Sequence, residues 1–417
     1  MKYFLLTFIS ALSLSAVYSQ KNTAVNPYVV KFINYYNSGK TDSIYTLLAD
    51  EVKSAMPVST LNVALLQVKG ALGNLIKSEY FKGDNNADSY ITTFERSGPV
   101  LYLNYNKANK LIGFYVNADQ RELPGTVTVK TASSLLKGTL SVPDMATKIP
   151  VILLIAGSGP TDRDGNSLLL KGKPNYFLEI SNALKLKNIA VLRYDKRLVG
   201  QSTSTKTEAG ILFDDMVDDA IAFIKLLKTD ARFSKVIVAG HSEGSLVGII
   251  ACEREKADAF ISLSGAGLPI DAILKTQIKE NYSPANYAKV ALMIDSIKAG
   301  KLLKQKIDPD FEGLFRTSVQ PYLHSWMMYD PKQEISKLTI PVLIIQGTND
   351  IQVGVINEQQ LKKGKPDSQL KIIEGMSHIL KEAPVNKEQN AATYTMSDLP
   401  LHPKLISTLT EFVNSLK

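Results

Sequence analysis

Cysteine is all but missing from this chain: Cys252 stands alone in 417 residues. No intramolecular disulfide can form, and no set of Cys, His, Asp or Glu has the spacing of a metal site. Histidine is scarce too, with only 4 residues, so a reaction that needs an imidazole base has few candidates. There is no Gly-rich dinucleotide or phosphate motif, no low-complexity tract and no internal repeat, and no cofactor is expected. Charge is present but not gathered. The formal +8 is dispersed, and its densest lysines (185–187, 301–306 and 362–363) read as solvated faces, which argues against a nucleic-acid partner. With 45% hydrophobic and 21% charged residues the chain has ordinary globular chemistry.

The one long apolar run opens the chain. Lys2 precedes Phe4-Leu5-Leu6-Thr7-Phe8-Ile9-Ser10-Ala11-Leu12, and small residues lead to Val17-Tyr18-Ser19. The pattern predicts a secretory signal peptide over residues 1–19, short for a membrane span. The protein is then exported to the periplasm or the medium of a bacterium, and an export signal without disulfides fits such a compartment. No later segment is long and apolar enough to cross a bilayer.

What is present is sharpest at Gly240-His241-Ser242-Glu243-Gly244, directly behind the apolar run Val236-Ile237-Val238-Ala239. A buried strand that ends in Gly-x-Ser-x-Gly and continues into a helix predicts a tight turn that presents the serine. Such a serine needs a base and an acid, in the order serine, acid, histidine, each after a later strand. Ile340-Pro341-Val342-Leu343-Ile344-Ile345 runs into Gln346-Gly347-Thr348-Asn349-Asp350, and Leu370-Lys371-Ile372-Ile373 runs into Glu374-Gly375-Met376-Ser377-His378. The spacing predicts Ser242 as nucleophile, His378 as base and Asp350 as the group that orients the base, with Glu374 and Glu382 as fallback acids. His241 is read as structural, His324 as a packing or pocket residue, and His402 as the opening of the last helix. An oxyanion hole requires two N–H donors. Glu243 supplies one, and Ser158, in the loop Ala156-Gly157-Ser158-Gly159-Pro160 after the strand 149–155, supplies the other, with Gly157 close behind.

On three motifs the chain resembles the α/β-hydrolase superfamily, and within it secreted bacterial serine carboxylesterases that carry a small domain in front. The motifs are the stretch from Ala156 to Gly165, then Leu192-Arg193-Tyr194-Asp195-Lys196-Arg197, then the serine pentapeptide. The resemblance covers residues 125–417. It implies a mostly parallel sheet with helices on both faces, and hydrolysis of a small-molecule ester through an acyl-enzyme. Leu198 departs from it, standing where such chains have glycine. An aminopeptidase or dipeptidase of the same fold, and a non-catalytic binding protein that retains the fold, are the alternatives.

The remaining patterns complete the expected organisation. Residues 21–120 read as a small α+β, cystatin-like domain. It has helices after Asn26-Pro27 and after Ser59, then strands over 89–94, 100–105 and 111–116. A docking or dimerisation role is expected for it, which would make a homodimer. The interval 268–335 is too long for a simple connection. It carries helical patterns at 271–279, 284–298 and 310–328, and reads as a cap over the site. Trp326, Met327, Met328 and Tyr329, with Phe315 and Tyr322, are expected to line an acyl pocket there. Arg163, Asp162 and Asp164 are read as pinning the loop that carries Ser158.

Overall fold

In the computed structural model the described residues are 26–96, 99–117, 119, 124–144, 147–167, 170, 172–303 and 307–416. The leader predicted over 1–19 lies outside them. Two units divide the chain, residues 1–121 and 122–417.

The first unit begins where the sequence places a cap. The Asn26 side chain accepts the Tyr28 N–H at 2.9 Å, with Pro27 in the first turn of the helix Pro27–Asn37, an arrangement that satisfies an orphan donor with a ring already set for helix. Three more helices follow, of which Val58–Leu72 is the longest. Then comes an antiparallel meander of β1 (Leu75–Gly83), β2 (Ala87–Phe94), β3 (Val100–Asn106) and β4 (Leu111–Asn117). Val29, Phe32, Tyr36, Leu61 and Leu65 from the helices share one core with Tyr90, Phe94, Leu101, Leu103 and Tyr105 from the sheet. The sequence pattern misses β1. Its pairing with β2 is interrupted between Leu75 and Lys77 and again between Tyr80 and Lys82, and two such irregularities erase the alternation by which a strand is read.

The second unit holds β5 (Thr126–Lys130), β6 (Ser134–Ser141), β7 (Ile149–Ile155), β8 (Ala190–Tyr194), β9 (Thr203–Ser204), β10 (Phe233–His241), β11 (Ala259–Leu263), β12 (Val342–Gly347) and β13 (Gln369–Ile373). Their order in the sheet is β13-β12-β11-β10-β7-β8-β6-β5, with the short β9 on β6. Every pair from β13 to β8 is parallel, whereas β5, β6 and β9 pair antiparallel at one end. Alternation sends successive side chains to opposite faces. Val151, Leu153, Ile155, Val236 and Val238 join one core, and Ile152, Leu154, Ile237 and Ala239 join the other. Helices Phe213–Thr229 and Glu243–Arg254 cover the first face; Tyr176–Lys185 and Pro403–Ser415 cover the second. This is the α/β-hydrolase sheet, helices on both faces.

Between β11 and β12 the chain leaves the sheet for the helical cap: helices Ile270–Asn281, Pro284–Lys298, Pro309–Phe315, Gln320–Trp326 and Pro331–Ser336. One continuous pattern over 310–328 resolves into two short helices, because Pro321 belongs to the first turn of the second and cannot sit in a helix interior. Cys252 is buried on the helix behind the serine turn. No described helix is long and apolar enough to cross a membrane.

Candidate active site

Ser242 follows β10 with φ 55° and ψ −121°, a positive-φ backbone that a non-glycine residue holds only when its surroundings force it. Those surroundings are close. A Cβ on Gly240 would overlap the carbonyl oxygen of Gly244, and one on Gly244 would overlap the carbonyls of Ile155 and Ala156. Both glycines are therefore needed where β10 turns into its helix against β7. Gly157 comes within contact as well: a Cβ there would lie 3.0 Å from the Ser242 Cβ. The loop after β7 thus runs along the serine, and Ser158 stands exposed on it.

The acid and the histidine follow the adjacent strands β12 and β13, and their loops are tied together. Asn349 N–H bonds the Met376 carbonyl at 3.1 Å, and the Thr348 hydroxyl accepts the Gly375 N–H at 2.9 Å. His378 Nδ1 donates to Asp350 Oδ2 at 2.8 Å, and both residues are buried. The same carboxylate accepts the N–H groups of Gln352 and Val353 at 2.8 Å each and Gln346 Nε2 at 3.0 Å. Burial alone would raise the Asp350 carboxyl; the His378 ring and those backbone donors outweigh it and hold the group below its ordinary value. Glu374 and Glu382 are exposed, which leaves Asp350 as the acid paired with the histidine.

His241 links the serine turn to the histidine loop. Its Nε2 donates to the carbonyl of His378 at 2.7 Å, and the two rings lie 4.8 Å apart. Burial first, and the neighbouring His378 second, push His241 down to about 3, so it stays neutral and structural. His324 packs in the cap, with Nδ1 2.9 Å from the Ile297 carbonyl, and His402 caps the last helix by accepting the Lys404 N–H.

The loop carrying Ser158 is pinned from below. The Arg163 guanidinium bonds Asp195 Oδ2 at 2.6 Å and Thr139 at 2.9 Å in the interior, and the half-buried Gln201 at 2.9 Å. Asp162 accepts the N–H groups of Asp164 and Asn166 at 2.9 Å each, and Asp164 pairs with Arg193. Burial first, and the Asp164 carboxylate after it, raise Asp162. Leu198, the departure from the pattern, has φ 61°; the turn retains the left-handed geometry that glycine would adopt freely.

The cap side chains expected to line a pocket have other partners. Trp326 stacks on Phe213 with ring centroids 5.8 Å apart, and Met327 is buried in the same core. Tyr329 donates to Asp214 at 2.8 Å and accepts from Arg254. Through Trp326 and Tyr329 this segment packs on the helix Phe213–Thr229. Tyr322, from the same segment, reaches the serine turn, where its hydroxyl donates to Glu243 Oε1. Burial pushes that phenol well above its ordinary value, and the Glu243 charge adds to the effect. Glu243 Oε2 in turn accepts from Lys196 Nζ at 3.2 Å. Sequence reasoning missed the Lys196 and Tyr322 contacts, because nothing local in either segment announces a partner so distant along the chain.

Sheet order and the placement of Ser242, Asp350 and His378 after β10, β12 and β13 define an α/β hydrolase. Residues 174–383, just over half of the chain, match the hydrolase family described as serine aminopeptidase, S33, and the chain belongs to that family. It is 26% identical over 370 residues to Esterase EstD of Thermotoga maritima, an alignment that takes in 84% of this chain and 86% of that protein. Among solved structures it is similar to Est1E of Butyrivibrio proteoclasticus with ferulic acid bound, at 18% identity and a TM-score of 0.45, over 69% of this chain and 96% of that one. Esterase Pf2001 of Pyrococcus furiosus gives 15% identity and a TM-score of 0.45, over 70% of this chain and 90% of that one.

Proposed function

We propose that this hydrolase cleaves carboxylic esters through an acyl-enzyme, with Ser242, His378 and Asp350 as its triad. The observation that carries the reading is the buried Asp350–His378 hydrogen bond of 2.8 Å, taken together with a serine held at φ 55°. Asp350 keeps the His378 proton on Nδ1, which leaves Nε2 free to act as a base. Ser242 Oγ attacks the ester carbonyl while His378 takes its proton. The oxyanion that forms is held by the N–H groups of Ser158 and Glu243, the second of which opens a helix and so lacks an intrahelical partner. His378 then gives the proton to the departing alcohol, and a water activated by the same imidazole releases the acid.

The choice of ester over peptide rests on the acids around the site. An aminopeptidase needs a carboxylate free to hold the substrate ammonium. Glu243 is taken up by Lys196 and Tyr322, Asp164 by Arg193, and Asp162 by two backbone N–H groups. The 26% relationship to an esterase supports the same choice, whereas the family's description favours the peptidase. Short acyl groups are the expected substrates on this reading. We also read the enzyme as exported, on the strength of the stretch from Lys2 to Ser19 alone.

The test is turnover of p-nitrophenyl esters of increasing acyl length by wild type and Ser242→Ala, beside a panel of aminoacyl anilides. Ester turnover that peaks at short chains and is lost in the variant is the expected result. Anilide turnover with poor ester cleavage would move the assignment to a peptidase.

A further inference from the structure

Of the three residues Asp195-Lys196-Arg197, the outer two have structural employment. Asp195 holds Arg163 and the Gln201 N–H, and Arg197 is paired with Asp219 in the interior. Lys196 does something else. Its ammonium lies 2.9 Å from the Gly157 carbonyl oxygen and 3.2 Å from Glu243 Oε2, with only 12% of its side chain exposed.

One contact falls on the peptide that carries the first proposed oxyanion donor, and the other on the side chain of the residue that carries the second. The Gly157 carbonyl and the Ser158 N–H belong to one peptide plane, and in a trans peptide the two point in opposite directions. A cation fixed on the carbonyl therefore fixes the aim of the N–H on the other side, and by polarising the amide it strengthens that donor. The second donor is the backbone N–H of Glu243, whose own carboxylate is buried. Unneutralised, that carboxylate would oppose the oxyanion; Lys196 cancels it, and Tyr322 from the cap holds its other oxygen.

We propose that Lys196 is the positioning residue of the oxyanion hole, aligning Ser158 and neutralising Glu243. The inference rests on the ester-hydrolysis reading above. It predicts a defect confined to the transition state, because a substrate carbonyl carries little charge before attack.

The experiment compares wild type, Lys196→Met and Lys196→Gln in two assays: kcat and KM on p-nitrophenyl acetate, and the second-order rate at which a fluorophosphonate probe labels Ser242. Melting temperature is read alongside. Losing one oxyanion donor costs about 10²–10³ in kcat, so a fall of about 10²-fold in kcat and in labelling rate is expected. KM should stay within about threefold of wild type, and the melting temperature of the folded variant should not track the loss. The glutamine variant, whose amide tolerates a polar interior, carries the test should the methionine variant fail to fold. Labelling and kcat within threefold of wild type in a folded variant would overturn the assignment while leaving the triad standing. A loss carried by KM instead would also overturn it. A wild-type enzyme that the probe does not label at Ser242 would bring down the hydrolase mechanism and this inference together.

Discussion

Asp350→Asn is the substitution for which the structure makes the most demanding forecast. The carboxylate accepts four hydrogen bonds and donates none: the backbone N–H groups of Gln352 and Val353 on Oδ1, and His378 Nδ1 and Gln346 Nε2 on Oδ2. An asparagine amide has one acceptor oxygen. The two backbone donors cannot turn away, so that oxygen must take the Oδ1 place and the NH2 group must face His378 and Gln346. Gln346 cannot relieve the conflict by turning over, since its Nε2 also donates to the Val353 carbonyl at 2.6 Å. One donor–donor contact remains and costs about 1–3 kcal/mol of stability.

The histidine can respond, and its response abolishes catalysis. With an NH2 opposite it, His378 Nδ1 becomes the acceptor and the proton moves to Nε2, where it blocks removal of the serine proton. The corresponding loss in a serine triad is about 10⁴ in kcat, which corresponds to about 5 kcal/mol at 1.36 kcal/mol per decade. KM should be unchanged, because Asp350 is buried away from substrate. The assay is steady-state hydrolysis of p-nitrophenyl acetate near neutral pH, with thermal melting alongside. A variant that keeps kcat within tenfold of wild type would refute the claim that this hydrogen bond sets the histidine tautomer.

Three further substitutions read other parts of the argument. Glu358, on the helix Ile356–Gly364, is fully buried and neither carboxylate oxygen has a hydrogen-bond partner among the described residues; burial first, and Asp350 after it, raise it from 4.5 to about 7. Its folded value lies above its unfolded one, so its contribution to stability is complete below about pH 4.5 and is lost as pH rises through 7. The melting temperature of Glu358→Gln should therefore gain on wild type between pH 5 and pH 8.5, and a gap that does not change with pH would contradict the assignment. Leu198→Gly should raise the melting temperature slightly. The left-handed φ of 61° costs leucine about 1–2 kcal/mol, against about 0.5–1 kcal/mol for the greater freedom of glycine in the unfolded chain, and a fall in stability would show that the turn is not strained. Gly157→Ala sets a methyl 3.0 Å from the Ser242 Cβ; a displacement approaching 1 Å can cost about 10²-fold, so kcat should drop steeply in an enzyme that still melts cooperatively, whereas full kcat would mean the loop has room to yield.

The parts of this enzyme that could be read from its sequence are those whose cause is local. A tight strand-to-helix turn needs small residues on either side of the serine for steric reasons that hold within five residues, and Gly240 and Gly244 carry that requirement in the chain. The meeting of Asp350 with His378 could be anticipated because a parallel sheet delivers its loops to one edge. Leu198 shows the same logic in reverse: the odd residue is in the left-handed backbone that the missing glycine would have taken. Where the cause is tertiary, the pattern is silent or misleading. Trp326 and Met327 sit at the end of a helix of seven residues, too short for periodicity to say which side faces the core and which faces a pocket. The Lys196 contact joins segments 39 and 47 residues apart, and an isolated lysine looks the same in sequence whether it is solvated or buried. The ammonium can be placed only once β7, β8 and β10 are laid side by side, with Lys196 leaving one strand and Gly157 and Glu243 leaving the other two. Those three strands are neighbours in the sheet order, so the fold that delivers the serine to the edge also brings its cation there.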